Sequence, residues 1–132
     1  MVNALYDHAR EAFLKGDLDW EVQNFKVVGV DATYTPNIAT HQYLSDITGV
    51  VCTSSNLSSK SWTAGVADAA DVTFPTVTGA TIVRWIIYQD TGTSSTSQLV
   101  AMYDTAAGLP TIPDGTNITA TWDNGASRIF RI

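Results

Sequence analysis

The sequence is poor in cysteine and in charge. Cys52 is the one cysteine among 132 residues, so no disulfide can form within the chain, and this usage is typical of a reducing compartment or of indifference to redox conditions. Charged residues make up 15% of the chain, and 13 acidic against seven basic residues give a net charge of −6. A nucleic-acid surface needs an excess of Lys and Arg. We therefore expect no nucleic-acid partner.

Long apolar runs and targeting signals are also missing. No segment approaches the ~18 consecutive apolar residues of a membrane span. The N-terminus shows neither the basic segment nor the long apolar segment of a secretory signal. We therefore expect no membrane association.

The usual signatures of catalysis and metal binding are absent. There is no Gly-x-Ser-x-Gly elbow, no phosphate-binding glycine pattern and no His-Glu-x-x-His. His8 and His41 have no Cys or His at metal-ligand spacing, and the acid pairs in 17–19 and 68–71 fall short of the dense oxygen cluster that calcium needs. A Ser-His-Asp triad stays open, because triads are defined by geometry, but no serine stands out. We expect a non-enzymatic protein without metal or cofactor.

The apolar pattern predicts one N-terminal helix followed by a β-rich region. Helical spacing over residues 3–15, with Asn3 as cap and Gly16 as stop, predicts the helix. The strands that follow are separated by loops at the spacing of a sandwich or barrel. They are predicted at 25–30, 49–54, 60–64, 71–74, 81–90, 98–103, 116–122 and 127–132. The fold class is mainly β: residues 1–132 form a single domain, with a helix and connector at 1–20 and an antiparallel, jelly-roll-like β-sandwich at 21–132.

A hairpin over residues 81–104 is the predicted centre of the sheet. Its first arm carries large apolar groups on both sides, so it is expected mid-sheet with both faces covered. Arg84 is the exception, and it is expected at a sheet edge or beside a carboxylate, with an oligomer contact as the alternative. A second hairpin is predicted at 123–125, where Asn-Gly fits a type I′ turn.

Four tryptophans divide into two pairs. Trp85 and Trp122 lie in strong strands and are expected in the core. Trp20 and Trp62 lie in connectors, where they are expected to anchor a loop or an interface, in which Trp is enriched. Stacking on a carbohydrate is the alternative interpretation of these two.

Five residues are candidates for contacts between subunits. They are Leu5 and Phe13 on the helix, Trp20, Trp62, and Tyr43 in a predicted helical turn at 41–47. The alternatives are that the helix closes its own sandwich and that Tyr43 pins a loop onto its own core.

Segments along nearly the whole chain resemble a family of small structural proteins of tailed bacteriophages. The matching segments are Ala4-Leu5-Tyr6-Asp7, Phe13-Leu14-x-Gly16 with Trp20, Thr40-His41-Gln42-Tyr43-Leu44-Ser45-Asp46-Ile47, Ala69-Ala70-Asp71-Val72-Thr73-Phe74, Tyr88-x-Asp90-Thr91-Gly92, Tyr103-Asp104-Thr105-Ala106 with Gly108-Leu109-Pro110, and Thr121-Trp122-Asp123-Asn124-Gly125 with Ile129-Phe130.

The resemblance implies a virion component with no catalytic residues to carry over. The expected function is head decoration or cementing, with the major capsid protein and a homo-oligomer of this chain as partners. Assembly would take place in the cytoplasm of the bacterial host. A tail, connector or fibre component is the first alternative, and a glycan-binding module on the virion is the second.

Overall fold

A five-stranded antiparallel sheet forms the centre of the fold. The computed structural model describes residues 4–104, 108–122 and 129–131, and these ranges contain one helix and nine strands. The elements are β1 (Ala4–Leu5), α1 (Asp7–Lys15), β2 (Phe25–Val30), β3 (Val50–Thr53), β4 (Val66–Ala67), β5 (Val72–Phe74), β6 (Arg84–Gln89), β7 (Leu99–Tyr103), β8 (Ile118–Ala120) and β9 (Phe130–Arg131). The sheet has the order β1-β7-β6-β2-β3, and β4–β9 and β5–β8 form separate two-stranded ribbons. The prediction of a mainly β, antiparallel fold with one helix is confirmed.

The predicted hairpin is the middle of this sheet. Strand β6 lies between β7 and β2 and pairs antiparallel with both. On one face the indole of Trp85 stacks on the ring of Phe74 in β5, with centroids 5.1 Å apart and an interplanar angle of 5°. On the other face the Arg84 guanidinium donates to the carbonyl of Tyr34, in the loop after β2. Both faces are therefore covered, by a ribbon and a loop, so the fold fits a sandwich only loosely.

Arg84 does not occupy the position predicted for it. It lies in the central strand and not at an edge. Its Nη1 donates to the Tyr34 carbonyl over 3.2 Å, so its hydrogen-bond acceptor is a carbonyl in the covering loop.

The helix begins later than predicted. Residues 4–5 pair with Met102 and Ala101 of β7, so the start of the chain adds an edge strand before it becomes helical. Tyr6 is extended and precedes the first helical residue, Asp7. The predicted cap, Asn3, lies outside the described residues. The predicted stop is confirmed, because Gly16 is left-handed with φ of 81°.

The strand predicted at 60–64 is wrong. Residues Thr63–Gly65 form a 3₁₀ turn in which Ala64 and Gly65 have φ values of 57° and 76°. A left-handed backbone cannot continue a strand, so pairing resumes only at β4. The neighbouring prediction at 71–74 matches β5, while the hairpin turn predicted at 123–125 lies outside the described residues.

Candidate interaction surface

A shallow groove lies where the end of α1, the connector after it and the loop before β4 meet. Its cavity volume is about 340 Å³. We call it the aromatic groove, and define it by a buried floor, two more accessible walls and an acidic rim. The floor is Trp20, Ala67 and Phe130, the walls are Phe13 and Trp62, and the rim is Asp19 and Glu21.

The floor is a connected set of aromatic rings. The Trp20 indole packs edge-on against Phe130 with centroids 5.3 Å apart, and lies 4.7 Å from the ring of Phe25 in β2. Phe130 in turn lies 5.8 Å from Phe13 of the helix. Such ring pairs add about 0.5–1.5 kcal/mol each beyond the burial of their area. The groove therefore rests on rings fixed by the helix, the sheet and the last strand.

Of the two roles expected for Trp20, anchor of a loop and anchor of an interface, the structure shows the first. Its side chain is only 6% exposed. Its Nε1 donates to the carbonyl of Ser61 over 3.0 Å, which ties the connector to the loop that carries Trp62. Trp20 anchors a loop within its own chain, and its buried ring offers no platform for a sugar.

Trp62 is the accessible tryptophan of the groove. It is 51% exposed, and it directly precedes the 3₁₀ turn Thr63–Gly65. Ala64 in that turn has a left-handed backbone, which costs a residue other than Gly about 1 kcal/mol or more. The loop thus holds Trp62 at the surface in spite of local strain.

Two exposed apolar residues follow groove residues in sequence. Leu14 and Val22 are 86% and 71% exposed, directly after Phe13 and Glu21. Single exposed apolar residues need no explanation, so neither is assigned to the groove.

A lysine supports the floor from beneath the connector. The Lys60 ammonium lies 5.0 Å from the ring centroid of Phe25 and 5.8 Å from that of Trp20, and it donates to the carbonyl of Gln23. Burial lowers the pKa of Lys60, and the nearby Asp19 carboxylate opposes this change. The cation thus contacts aromatic faces and a carbonyl, and offsets part of the charge of Asp19.

Tyr103 holds the floor in place from the central sheet. Its hydroxyl donates to the carbonyl of Ile129, the residue before Phe130. We expect Tyr103→Phe to lower the free energy of unfolding by about 1–2 kcal/mol, because it leaves a buried carbonyl without its donor. Urea unfolding followed by tryptophan fluorescence measures this. An unchanged midpoint would contradict the assigned bond.

The other helix candidate, Leu5, is buried within its own chain. It lies in β1 opposite Ala101 and is 8% exposed. Ala9 and Ala12 of α1 are buried as well. The helix thus closes its own domain, which was the alternative interpretation, and only the half-buried Phe13 reaches the aromatic groove.

Tyr43 lies at a different, polar pocket. This pocket is lined mainly by polar and charged side chains from α1, the connector and the loop before β7, which are His8, Glu11, Lys15, Asp17, Gln42, Tyr43 and Gln98. Within it His8 Nδ1 contacts Glu11 at 3.1 Å, and Lys15 forms an ion pair with Asp17 at 3.2 Å. Tyr43 accepts from the side-chain amide of Gln42. It is therefore not part of the surface that Phe13 and Trp62 form.

Asp46 fixes the turn at Tyr43 in a pH-dependent way. Its carboxylate accepts from the backbone N–H groups of Gln42 and Tyr43 at 2.8 and 3.0 Å, and these bonds lower its pKa below the usual 3.8. A depressed pKa stabilises the fold above pH 3.8, and the stabilisation is lost as pH falls through the folded-state pKa. We expect Asp46→Ala to cost about 1 kcal/mol at pH 7, as for loss of a helix cap, and less at pH 2.5.

Urea titrations of the wild type and of this variant at the two pH values measure the difference. Asp46→Asn is the matched control, because it keeps an acceptor oxygen and has no charge to lose. A cost of Asp46→Ala that stays constant between the two pH values would contradict the role given to the carboxylate.

The remaining titratable residues form no metal cluster within the described ranges. His41 Nδ1 contacts the Tyr34 hydroxyl at 2.7 Å, and that hydroxyl contacts the Tyr6 hydroxyl at 2.8 Å, so His41 belongs to a partly buried network. None of the described helices is long and apolar enough to cross a membrane.

Four groove residues are not among the candidates that the sequence offers, namely Asp19, Glu21, Ala67 and Phe130. Phe130 falls in the predicted return strand, and the run Ser-Arg-Ile-Phe-Arg-Ile at 127–132 gives no sign that its ring meets Trp20. Glu21 lies between Trp20 and Val22, and a charged residue between two apolar ones is the one local signal of the rim.

The chain was compared with known proteins. The search of protein families finds none that matches the chain. The search of curated proteins finds no match at a significant level.

Proposed function

We propose that this protein is a non-enzymatic structural component of a tailed-phage virion, a decoration or cement protein of the head. It binds the outer surface of the major capsid lattice as a symmetric homo-oligomer and stabilises the assembled head. Two observations support the proposal: the sequence resembles phage structural proteins, and the structure has the aromatic groove on its surface.

The observation that carries the proposal is the half-exposed Trp62 beside Phe13, above a fixed aromatic floor. Interfaces between proteins are enriched in Trp, Tyr and Phe at their centres and have polar rims. The groove has this layout, on a surface that is otherwise poor in charge and net acidic.

Stabilisation of the head follows from mass action. A protein that binds only the assembled lattice lowers the free energy of the assembled state and not that of the free subunits. No bond has to be made or broken, so the function requires a surface and not a catalytic group.

A comparison of heads with and without the protein tests this proposal. We expect phage heads that lack the protein to release DNA at a lower temperature than complete heads, and purified protein added back to restore the release temperature. The proposal would be refuted if heads without the protein release DNA at the same temperature as complete heads, or if the protein does not sediment with heads.

The exposed indole of Trp62 also favours a second candidate, glycan binding on the virion surface. An exposed aromatic face is the group that stacks on a sugar ring. A glycan array that gives signals for the wild type and none for Trp62→Ala would support this candidate. An array without signals would remove it.

A further inference from the structure

Two acids, Asp19 and Glu21, form the rim of the aromatic groove, and the described side chains compensate their charge only in part. Asp19 is held in place because its Oδ1 accepts from the backbone N–H groups of Glu21 and Val22 at 3.0 and 3.4 Å. The exposed Glu21 carboxylate makes no ion pair within the described part of the chain. Both acids thus face solvent at the edge of an apolar groove.

The two described lysines nearest to the rim do not cancel this charge. Lys15 is paired with Asp17 at 3.2 Å. Lys60 offsets Asp19 only in part, because its ammonium is turned to the Gln23 carbonyl and to the rings of the floor. Among the described side chains, Glu21 is therefore the rim acid that lacks a cationic partner.

From this charge and shape we infer that the groove seats an aliphatic or aromatic side chain of a partner protein segment that carries a Lys or Arg beside it. The apolar side chain lies between Phe13 and Trp62, and the basic group pairs with Glu21. A cavity of about 340 Å³ is at the small end of ligand pockets, which run from ~300 to ~1,000 Å³, and suits one or two side chains of a protein surface.

A second copy of this chain fits the groove less well. In a twofold dimer the same patch meets itself, so the acidic rims of two copies would lie opposite each other, and like charges across an interface disfavour the pairing. The inference rests on the proposed function, because the segment that enters the groove is assigned to the capsid lattice.

Two pairs of variants test the inference in binding to heads that lack the protein. The chain has two glutamates, so Glu21→Lys at the rim has Glu11→Lys, outside the groove, as its matched control. Trp62→Ala has as its control Ile112→Ala, which removes an apolar side chain that is 76% exposed elsewhere. Urea midpoints of all four variants establish that each is folded, and Trp62→Phe serves as the conservative variant.

We expect Trp62→Ala to weaken binding to the heads by about 30-fold, the size of an interface hot spot, with Trp62→Phe in between. We expect Glu21→Lys to weaken it by about tenfold and to remove most of the salt dependence that the wild type shows. Glu11→Lys and Ile112→Ala should bind as the wild type does.

The other outcomes separate the two proposals. If the wild type does not bind heads at all, the proposed function fails. If the wild type binds and either Trp62→Ala or Glu21→Lys binds equally well, the function stands and the inference about the groove is overturned. A wild-type oligomer that dissociates in Trp62→Ala, with head binding unchanged, would assign the groove to a second copy and also overturn the inference.

Discussion

Replacing Trp85 by alanine will lower the free energy of unfolding by about 4 kcal/mol, as expected for truncation of a fully buried aromatic residue. Trp85 lies in the central strand, is 1% exposed and stacks on Phe74. Its removal opens a cavity that the sheet below and the ribbon above cannot fill. Urea unfolding of the purified variant measures the loss, and a domain of this size will be close to unfolding.

The matched substitution is Trp62→Ala. The same atoms are removed, but from a side chain that is 51% exposed, so we expect a cost of about 1 kcal/mol or less. The contrast separates a tryptophan that builds the fold from one that serves a surface. Equal losses in the free energy of unfolding at the two positions would contradict the assignment of Trp85 to the core and of Trp62 to the surface.

The second large effect is expected at Gly29, in β2 beside the central strand. A Cβ built there would lie 2.8 Å from Trp85 Cζ3, 2.9 Å from Cys52 Sγ and 3.1 Å from Ile82 Cγ2. Gly29→Ala therefore overpacks the centre of the sheet, and we expect a loss of about 3 kcal/mol, at the upper end of such substitutions. Unfolding in urea, followed by tryptophan fluorescence, measures it.

Gly92→Ala is the control for this variant. Its Cβ would meet nothing within 4 Å, although its φ of 87° makes any side chain unfavourable. We expect a cost of about 1 kcal/mol from the backbone alone. If Gly29→Ala lowers the free energy of unfolding no more than Gly92→Ala does, the centre of the sheet is not as closely packed as described.

The sheet was predictable because its strands carry a local signal. Residues 25–30 are apolar and β-branched, and the predicted bounds match β2. The same holds for the hairpin, in which apolar groups on both sides of β6 required cover on both faces. A pattern with a period of two residues is a local property, so the sequence alone reveals it.

The groove was only partly predictable, because contacts distant in sequence create it. Phe13 and Trp62 were candidates, yet their common floor depends on Phe130, which lies more than sixty residues beyond Trp62. For Trp20 the sequence left loop anchor and interface open, and the structure shows a loop anchor, because burial is decided by Phe25, Phe130 and the carbonyl of Ser61 and not by the connector itself. The loop at 60–64 was misread because Ala64 gives no local sign of a left-handed backbone.

The copy number of this protein in purified virions tests the central claim most directly. A component of the capsid lattice follows the symmetry of that lattice, so quantitative mass spectrometry should give a simple whole-number ratio between this protein and the major capsid protein. A copy number in the range of a tail or connector component, or absence of the protein from virions, would contradict the account.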